Sequence, residues 1–412
     1  MTTCRFAGPA TVQRAHEGPL DCYIDLFVQR LREQQFSSES VRFQVVQAAN
    51  LSRWLHARKL SVEELTAATI DTYCRELRPD LDLRRGHRAA LHRLLGILRQ
   101  QGVCRQDVAP IESGPRQRVE EDFKRFLAVE RGLSAATLAN YVPFISQLLI
   151  ERFGRGPIRL TRLRASDIIG FVQRHAHDFC PRRTKLMLSA LRSFLRHLQL
   201  RGDIEAELAS CVPCVPRWSL TEVPKFLPPG AVEQVLKHCD RHSATGMRDY
   251  AILLLLARLG LRAGEVVSLT LDNIDWRAGQ LTLHCKGRRS AQVPLIAELG
   301  EALARYVRHG RPRCETRRVF IRGRAPRVGL ANSSAICCIV ERALVRAGVQ
   351  SARKGSHLFR HTLATQMLRH GASLGEIGQV LRHRHPDTTR IYAKVDLPAL
   401  RTLTLAWPGG VR

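Results

Sequence analysis

His357-Leu358-Phe359-Arg360-His361, followed by Leu381-Arg382-His383 and Thr388-Thr389-Arg390-Ile391-Tyr392, is the stretch from which the rest of this chain is read. One cation, several imidazoles and a phenol in so short a span suit attack on a phosphodiester. His357, Arg360 and His361 stand at i, i+3 and i+4, positions that share a helix face. The spacing therefore predicts one surface carrying an imidazole, a guanidinium and a second imidazole. A zinc site of the His-x-x-x-His kind needs a third ligand and a base, and no Glu lies between these histidines, so no metal is expected. The plainer reading, a histidine satisfied within the core, stands more strongly for His361 than for His357. His383 closes a helix ahead of His385-Pro386, and Pro386 fits the first turn of a new helix that presents Tyr392. A phenol, with a free pKa of about 10, is a nucleophile only once its proton is removed. Phenolate is also a competent leaving group, so a phosphotyrosyl link can be reversed without ATP. Alone, a tyrosine at a helix end reads as core or interface; its companions raise it.

Upstream, an apolar helix ends in Arg258-Leu259-Gly260-Leu261-Arg262-Ala263-Gly264-Glu265. An arginine that leaves a buried helix beside glycines is held where backbone or ligand can come close. Its planar fork matches two phosphate oxygens, and Glu265 could orient it. A plain buried Arg–Glu pair is the other reading. Two arginines facing a phosphorane supply the charge stabilisation that other nucleases take from metal ions. An acid for the departing oxygen is still needed. Arginine cannot serve, whereas lysine can. Gln280 to Leu295 alternates around Lys286-Gly287-Arg288-Arg289 and reads as a β-hairpin with Lys286 at its tip. Only eight lysines occur among the 65 basic residues, which makes that lysine conspicuous, although hairpin tips also carry Lys for solubility.

The bulk numbers agree with a polyanionic partner. At 412 residues the chain exceeds one ordinary core, so two or three domains are expected. Its 44% hydrophobic content argues against global disorder. The net charge of +28 attracts polyanions, DNA among them, and the plainer reading is a basic protein of RNA or membrane surfaces or a merely Arg-rich proteome. Twelve cysteines are scattered, and Met1 to Leu20 has no apolar export signal, so reduced thiols in the cytosol are expected. The longest apolar run, Ala251 to Ala257, is too short for a membrane span of about 20 residues. Cys211-Val212-Pro213-Cys214 has zinc-like spacing without a second pair, and a structural linker pair is the stronger reading.

Two segments repeat at an offset of about 97 residues. Phe36 to Val41 aligns with Leu133 to Leu138, and Leu51, Leu91, Leu94 and Leu98 fall on Leu148, Leu188, Leu191 and Leu195. Each copy has a serine ahead of its apolar run, suited to capping a helix, and ends at a glycine, Gly102 or Gly202. Residues 20–105 and 117–205 are thus expected to form two small helical domains. Ala109 to Pro115 marks the first break. Residues 209–229, with Pro213, Pro216, Pro224, Pro228 and Pro229, form a linker. Arg217, Trp218 and Lys225 within it suit a strap on DNA as well as a plain tether. In the last domain, 230–412, helices are expected near Ala231–Cys239, Arg248–Leu259, 297–308, 332–347, 357–370 and 373–382.

With Arg262, Lys286, His357, Arg360, His383 and Tyr392 in this order, the chain resembles the tyrosine recombinase (phage integrase) family over about residues 116–395. Leu-Gly-Leu-Arg-Ala-Gly-Glu looks like the family's first-arginine box. His-Leu-Phe-Arg-His looks like its His-x-x-Arg box, and Leu-Arg-His through Tyr392 looks like its nucleophile box. The resemblance implies a mainly α, multidomain fold: two helical SAM-like N-terminal domains and an α+β catalytic domain with a small antiparallel sheet. It implies that Tyr392 attacks the scissile phosphate to give a 3′-phosphotyrosine, with Arg262 and Arg360 stabilising the transition state. His357 and His383 would assist in proton movement and phosphate binding, Lys286 would protonate the 5′-hydroxyl, and Glu265 and His361 would support. No cofactor or metal is implied. Double-stranded DNA is the implied partner, in a tetramer of this chain alone or together with sister recombinases, with C-terminal segments such as Leu397 to Pro408 docking on neighbours. The expected activity is integration or excision of a mobile element, in the bacterial cytoplasm at the nucleoid. A non-cutting DNA-binding partner and a type IB topoisomerase are the alternatives. Two departures stand out: Arg382 occupies the position where the family commonly has Gly, and residues 20–105 exceed its minimal plan.

Overall fold

A computed structural model of the chain describes residues 18–76, 86–104, 114–154, 156–214, 223–285, 289–351 and 355–395. Gln106–Ser219 make one compact unit, and the remaining described residues make the other. No helix among the described residues is long and apolar enough to cross a membrane.

The two copies of the sequence repeat each bury a core of their own. In the first, α1 (Asp21–Glu33), α2 (Ser38–Ala57), α3 (Ala67–Glu76) and α4 (His87–Gln100) enclose Phe27, Leu31, Leu51, Leu91, Leu94 and Leu98. In the second, α5 (Pro115–Arg125), α6 (Ala135–Phe153), α7 (Ala165–Ala176) and α8 (Pro181–Leu200) enclose Phe123, Leu148, Leu188, Leu191 and Leu195. All eight aligned leucines are buried. The aligned serines cap aligned helices: Ser37 accepts from the Ser40 N–H, and Ser134 from the Thr137 N–H. Such a cap stabilises a helix by about 1 kcal/mol. Gly102 and Gly202 both sit at positive φ after the last helix of their copy.

The segment expected as a linker over 209–229 is anchored at both of its described ends. Ala209 and Val212 pack into the second helical core, and Arg192 donates to the carbonyls of Val212 and Pro213. At the other end the Leu227 N–H donates to Thr362 Oγ1 at 2.9 Å. Residues 215–222, with Arg217 and Trp218, lie outside the described residues. Cys211 and Cys214 are free thiols.

The last domain is helical around a small sheet. Ala231–Lys237 (α9), Ala244–Arg258 (α10) and Ala263–Ser268 (α11) precede strands Ile274–Asp275 (β1), Gln280–Cys285 (β2) and Arg289–Pro294 (β3). The sheet is antiparallel in the order β1-β2-β3, with Leu281 opposite Val293 and Cys285 opposite Arg289. The alternation of β2 turns Leu281 and Leu283 onto the core. Over Ala251–Leu256 helix α10 is apolar on every side and wholly enclosed, as an all-round hydrophobic stretch must be. Ala297–Arg305 (α12), Ser333–Arg346 (α13), His357–Arg369 (α14) and Leu374–Val380 (α15) complete the domain. The expected helix carrying Tyr392 does not form as an α-helix. Pro386 does start a turn, but Pro386–Thr388 and Arg390–Val395 are short 3-10 segments.

Candidate active site

Arg262, Arg360 and Tyr392 arrive on separate elements. Arg262 caps the start of α11 immediately after the buried α10, so its backbone is fixed by the core beneath it. Its Nη1 donates to Glu265 Oε1 at 2.7 Å, and its backbone N–H donates to Glu265 Oε2 at 2.9 Å. Glu265 is only 5% exposed. Burial alone would raise its pKa, but the backbone and side chain of Arg262, with Arg382, hold the carboxyl below its usual range.

Arg360, on the first turn of α14, is 3% exposed and points inward. The surface expected to present His357, Arg360 and His361 side by side is therefore divided. His357 faces solvent, Arg360 faces the interior and His361 is half-buried. The Arg360 guanidinium donates to the carbonyls of Gly260 and Leu381. Gly260 permits this approach: its φ is +57°, and a Cβ there would stand 2.8 Å from Leu381 Cδ2. Burial, then Arg262 and Arg382, push the Arg360 pKa down to about 10.

Helix α15 starts with a reciprocal cap between Ser373 and Glu376 and stops at Leu381. The turn that follows brings the two arginines together. Leu381 O accepts from Arg360, and Arg382 O accepts from Arg262 Nη2 at 3.5 Å. His383 comes next, with its Nδ1 2.7 Å from Thr389 Oγ1. Gly378 allows Thr389 in, since a Cβ there would meet its hydroxyl at 3.0 Å. The His383 ring lies parallel to that of Tyr392, centroids 6.4 Å apart.

Tyr392 is 1% exposed and packs on Ala364, Ile377 and Leu381. Burial pushes its pKa up to about 12, against the opposing pull of Arg360. Its hydroxyl lies 2.9 Å from His361 Nδ1. His361, read from sequence as a supporting residue, is thus the imidazole that touches the phenol. His383 is depressed to about 4 by burial and then by Arg360, Arg262, His361 and Arg382. His357 is 6.3 Å from His361, ring to ring, and the two line a cleft with Pro224, Lys225 and Ile391. Lys286 lies outside the described residues, in the chain between the paired Cys285 and Arg289. Leu397 to Pro408 lie outside them as well. Among the described residues, no group of three His, Cys, Asp or Glu could hold a metal ion.

One member of the cluster escaped the sequence reading. Arg382 was visible only as a departure from glycine, yet its guanidinium lies 3.4 Å from Glu265 Oε2. Its place in the chain beside His383 was the available signal; the direction of its side chain was not. Two guanidiniums, at 262 and 382, therefore share one carboxylate, while the third, at 360, is buried against the carbonyls of Gly260 and Leu381. Such an arrangement can receive an anionic ester and set a phenol beside it.

Known proteins identify the family of the chain. Residues 225–397 match the description "Phage integrase family", and residues 121–202 match "Phage integrase, N-terminal SAM-like domain". A putative integrase/recombinase, y4rA of Sinorhizobium fredii, is 44% identical over 403 residues, covering 97% of each chain. The tyrosine recombinase XerD of Xanthomonas axonopodis pv. citri is 31% identical over 69% of this chain and 95% of its own. Among solved structures, the XerH site-specific recombinase bound to a palindromic difH substrate after cleavage covers 95% of both chains at TM-score 0.52 and 15% identity. That likeness concerns the fold. The chain belongs to the tyrosine recombinase, or phage integrase, family. Its activity is site-specific recombination of DNA.

Proposed function

We propose that the protein integrates or excises a mobile element by cutting and rejoining DNA through a 3′-phosphotyrosyl link at Tyr392. The observation that carries this reading is the charge imbalance of the pocket: Arg262 and Arg382 share the carboxylate of Glu265, and buried Arg360 is held by the carbonyls of Gly260 and Leu381, beside a buried phenol. Buried cations without matching anions are costly, and a scissile phosphate supplies the missing negative charge. In the proposed reaction Arg262 and Arg360 hold the non-bridging oxygens. Tyr392 loses its proton and attacks phosphorus, and the 5′-oxygen leaves with a proton from Lys286. His361, already on the hydroxyl, supports this proton movement, and His357 and His383 assist it and bind phosphate. Attack by a 5′-hydroxyl on the phosphotyrosine reverses the step, so no cofactor or metal is called for.

Residues 117–205 serve in this reading as the core-binding clamp on DNA, 209–229 as the connection, and 230–412 as the catalytic domain with its tail. Residues 20–105 add a further DNA-binding or interaction domain. The working assembly is a tetramer on DNA, of this chain alone or with sister recombinases, in the bacterial cytoplasm at the nucleoid. The test is a covalent trap. Full-length protein is mixed, without metal or ATP, with nicked duplexes tiling the DNA on either side of its gene, then run on a denaturing gel. A protein–DNA adduct that vanishes in Tyr392→Phe is the expected result. Tight, specific binding with no adduct would replace this reading with a non-cutting partner. Relaxation of supercoiled DNA without choice of site would replace it with a type IB topoisomerase.

A further inference from the structure

We propose that Arg382 is a positioning residue for Arg262, held against the glycine preference of its backbone because its side chain braces Glu265, the carboxylate that orients Arg262; this rests on the recombinase reading above. Helix α15 ends in two crossed bonds, the Arg382 N–H to Gln379 O and the His383 N–H to Gly378 O, both 2.9 Å. That pattern places the residue after the helix cap in the left-handed region, where glycine is the usual occupant. Arg382 has φ +54°. A side chain there is strained, and observed strain at a site is reason to ask what the side chain does.

What it does is reach back across the pocket. Its Nη1 donates to Val380 O at 3.0 Å, and Nη1 and Nη2 approach Leu259 O at 3.4 Å each. Nη2 also lies 3.4 Å from Glu265 Oε2. Glu265 is the carboxylate that grips Arg262 through its side chain and its backbone N–H. The other terminal nitrogen of Arg262 is held by the Arg382 carbonyl. Both ends of the Arg262 fork thus depend on residue 382, one through its carbonyl and one through the carboxylate that its guanidinium shares.

Two consequences follow. The second cation on Glu265 offsets the charge that would otherwise be spent on Arg262 alone, leaving more of the Arg262 field for a phosphate. The Arg382 fork also ties the turn carrying His383 to the Leu259 carbonyl below it. Glycine at 382 keeps the carbonyl contact and the turn but loses the charge and the tie.

The experiment uses the full-length protein and the nicked duplexes described above, measuring adduct formation in a single turnover at saturating protein. Arg382→Gly and Arg382→Asn, both suited to the left-handed backbone, are expected to melt at or near the wild-type temperature and to bind DNA as wild type does. Each is expected to form adduct about 10- to 100-fold more slowly, a loss of transition-state stabilisation rather than of binding. In an Arg262→Ala background, removing Arg382 is expected to cost nothing further, because the residue it positions is gone. Arg382→Gly forming adduct within about twofold of wild type would overturn the proposal, as would losses that multiply in the double variant. An adduct-forming wild type with an unimpaired Arg382→Gly sinks this inference alone. A wild type that forms no adduct on any duplex sinks the recombinase reading and this inference with it.

Discussion

The two halves of the pocket are held in place by different means. The arginine half stands on the main core: Arg262 follows α10, buried over Ala251–Leu256, and Arg360 lies on the first turn of α14, whose Leu358 and Phe359 belong to that same core. The tyrosine half stands on a satellite cluster of four buried residues, Ala364, Ile377, Leu381 and Tyr392, and on 3-10 segments rather than a continued helix. In the proposed reaction, this difference would build phosphate recognition into the domain, while Tyr392, the proposed nucleophile, would ride on a segment secured by a small satellite cluster. A rigid set of dipoles and charges needs no reorganisation when the phosphate arrives. A nucleophile that must later release DNA gains from a lighter attachment.

The sharpest way to break this comparison is to remove the phenol oxygen alone. Tyr392→Phe is expected to slow adduct formation by a factor on the order of 10⁴ or more. Stability is expected to fall by only about 1 kcal/mol, the bond between the hydroxyl and His361. Trapping on nicked DNA and thermal melting read the two effects separately. A large loss of stability would mean that the tyrosine half carries structural weight that its small cluster does not reveal.

Arg360→Met tests the other half. Cleavage is expected to fall about 10²- to 10³-fold as a phosphate donor disappears. The carbonyls of Gly260 and Leu381 lose their donor, which costs a few kcal/mol. Against that, a guanidinium pushed down to about 10 by burial, Arg262 and Arg382 is itself costly by a similar amount, about 3 kcal/mol. The net stability change is therefore expected to stay within about 2 kcal/mol, measured by denaturant unfolding. A much larger fall would mean that Arg360 is first a structural tie.

The sequence exposed this arginine half more fully than the tyrosine half, for a physical reason. Helix α10 was legible because seven apolar residues in a row have only one place to go, and Arg262 and Glu265 follow from it by chain connectivity. The hairpin followed from alternation, and the helical repeat from serines and leucines that recur in register and proved to be caps and core. Local pattern did not carry the inward turn of Arg360, because sharing a helix face says nothing of what that face packs on. Nor did it carry the bond between His361 and Tyr392, which depends on how α14 meets a segment far along the chain. Arg382 was hidden for the same reason: its partners at Leu259 and Glu265 are remote in sequence.

Hydrogen exchange tests the attachment directly. Amides of Ile252–Leu256, deep in the main core, are expected to open only with global unfolding. Those of Thr389 and Tyr392, bonded to Pro386 O and Thr389 O in single 3-10 turns, are expected to exchange at least about 100-fold faster. Equal protection would place both halves in one cooperative unit and end the distinction drawn above.

The smallest effect concerns how far the arginine field reaches into the tyrosine half. His383 is held down to about 4 by burial and by Arg360, Arg262, His361 and Arg382, so it is neutral at pH 7. In the unfolded chain the same ring titrates at about 6.5. Between about 4 and 6.5 the unfolded state binds a proton that the folded state does not, so stability rises with pH across that window. It is fully present above the unfolded value and is lost as the pH falls. The ring is only partly buried, and with solvent screening the effect is on the order of 1 kcal/mol. His87 and His197, both depressed chiefly by burial, slope the same way, so the informative quantity is the difference between wild type and His383→Gln. The variant is expected to lose less stability between pH 7 and pH 4.5. Saturating DNA should shrink that difference, because a bound phosphate supplies the anion that the arginines lack. Identical slopes without DNA would mean that neither burial nor the charge of the arginine half holds His383 down in the free protein.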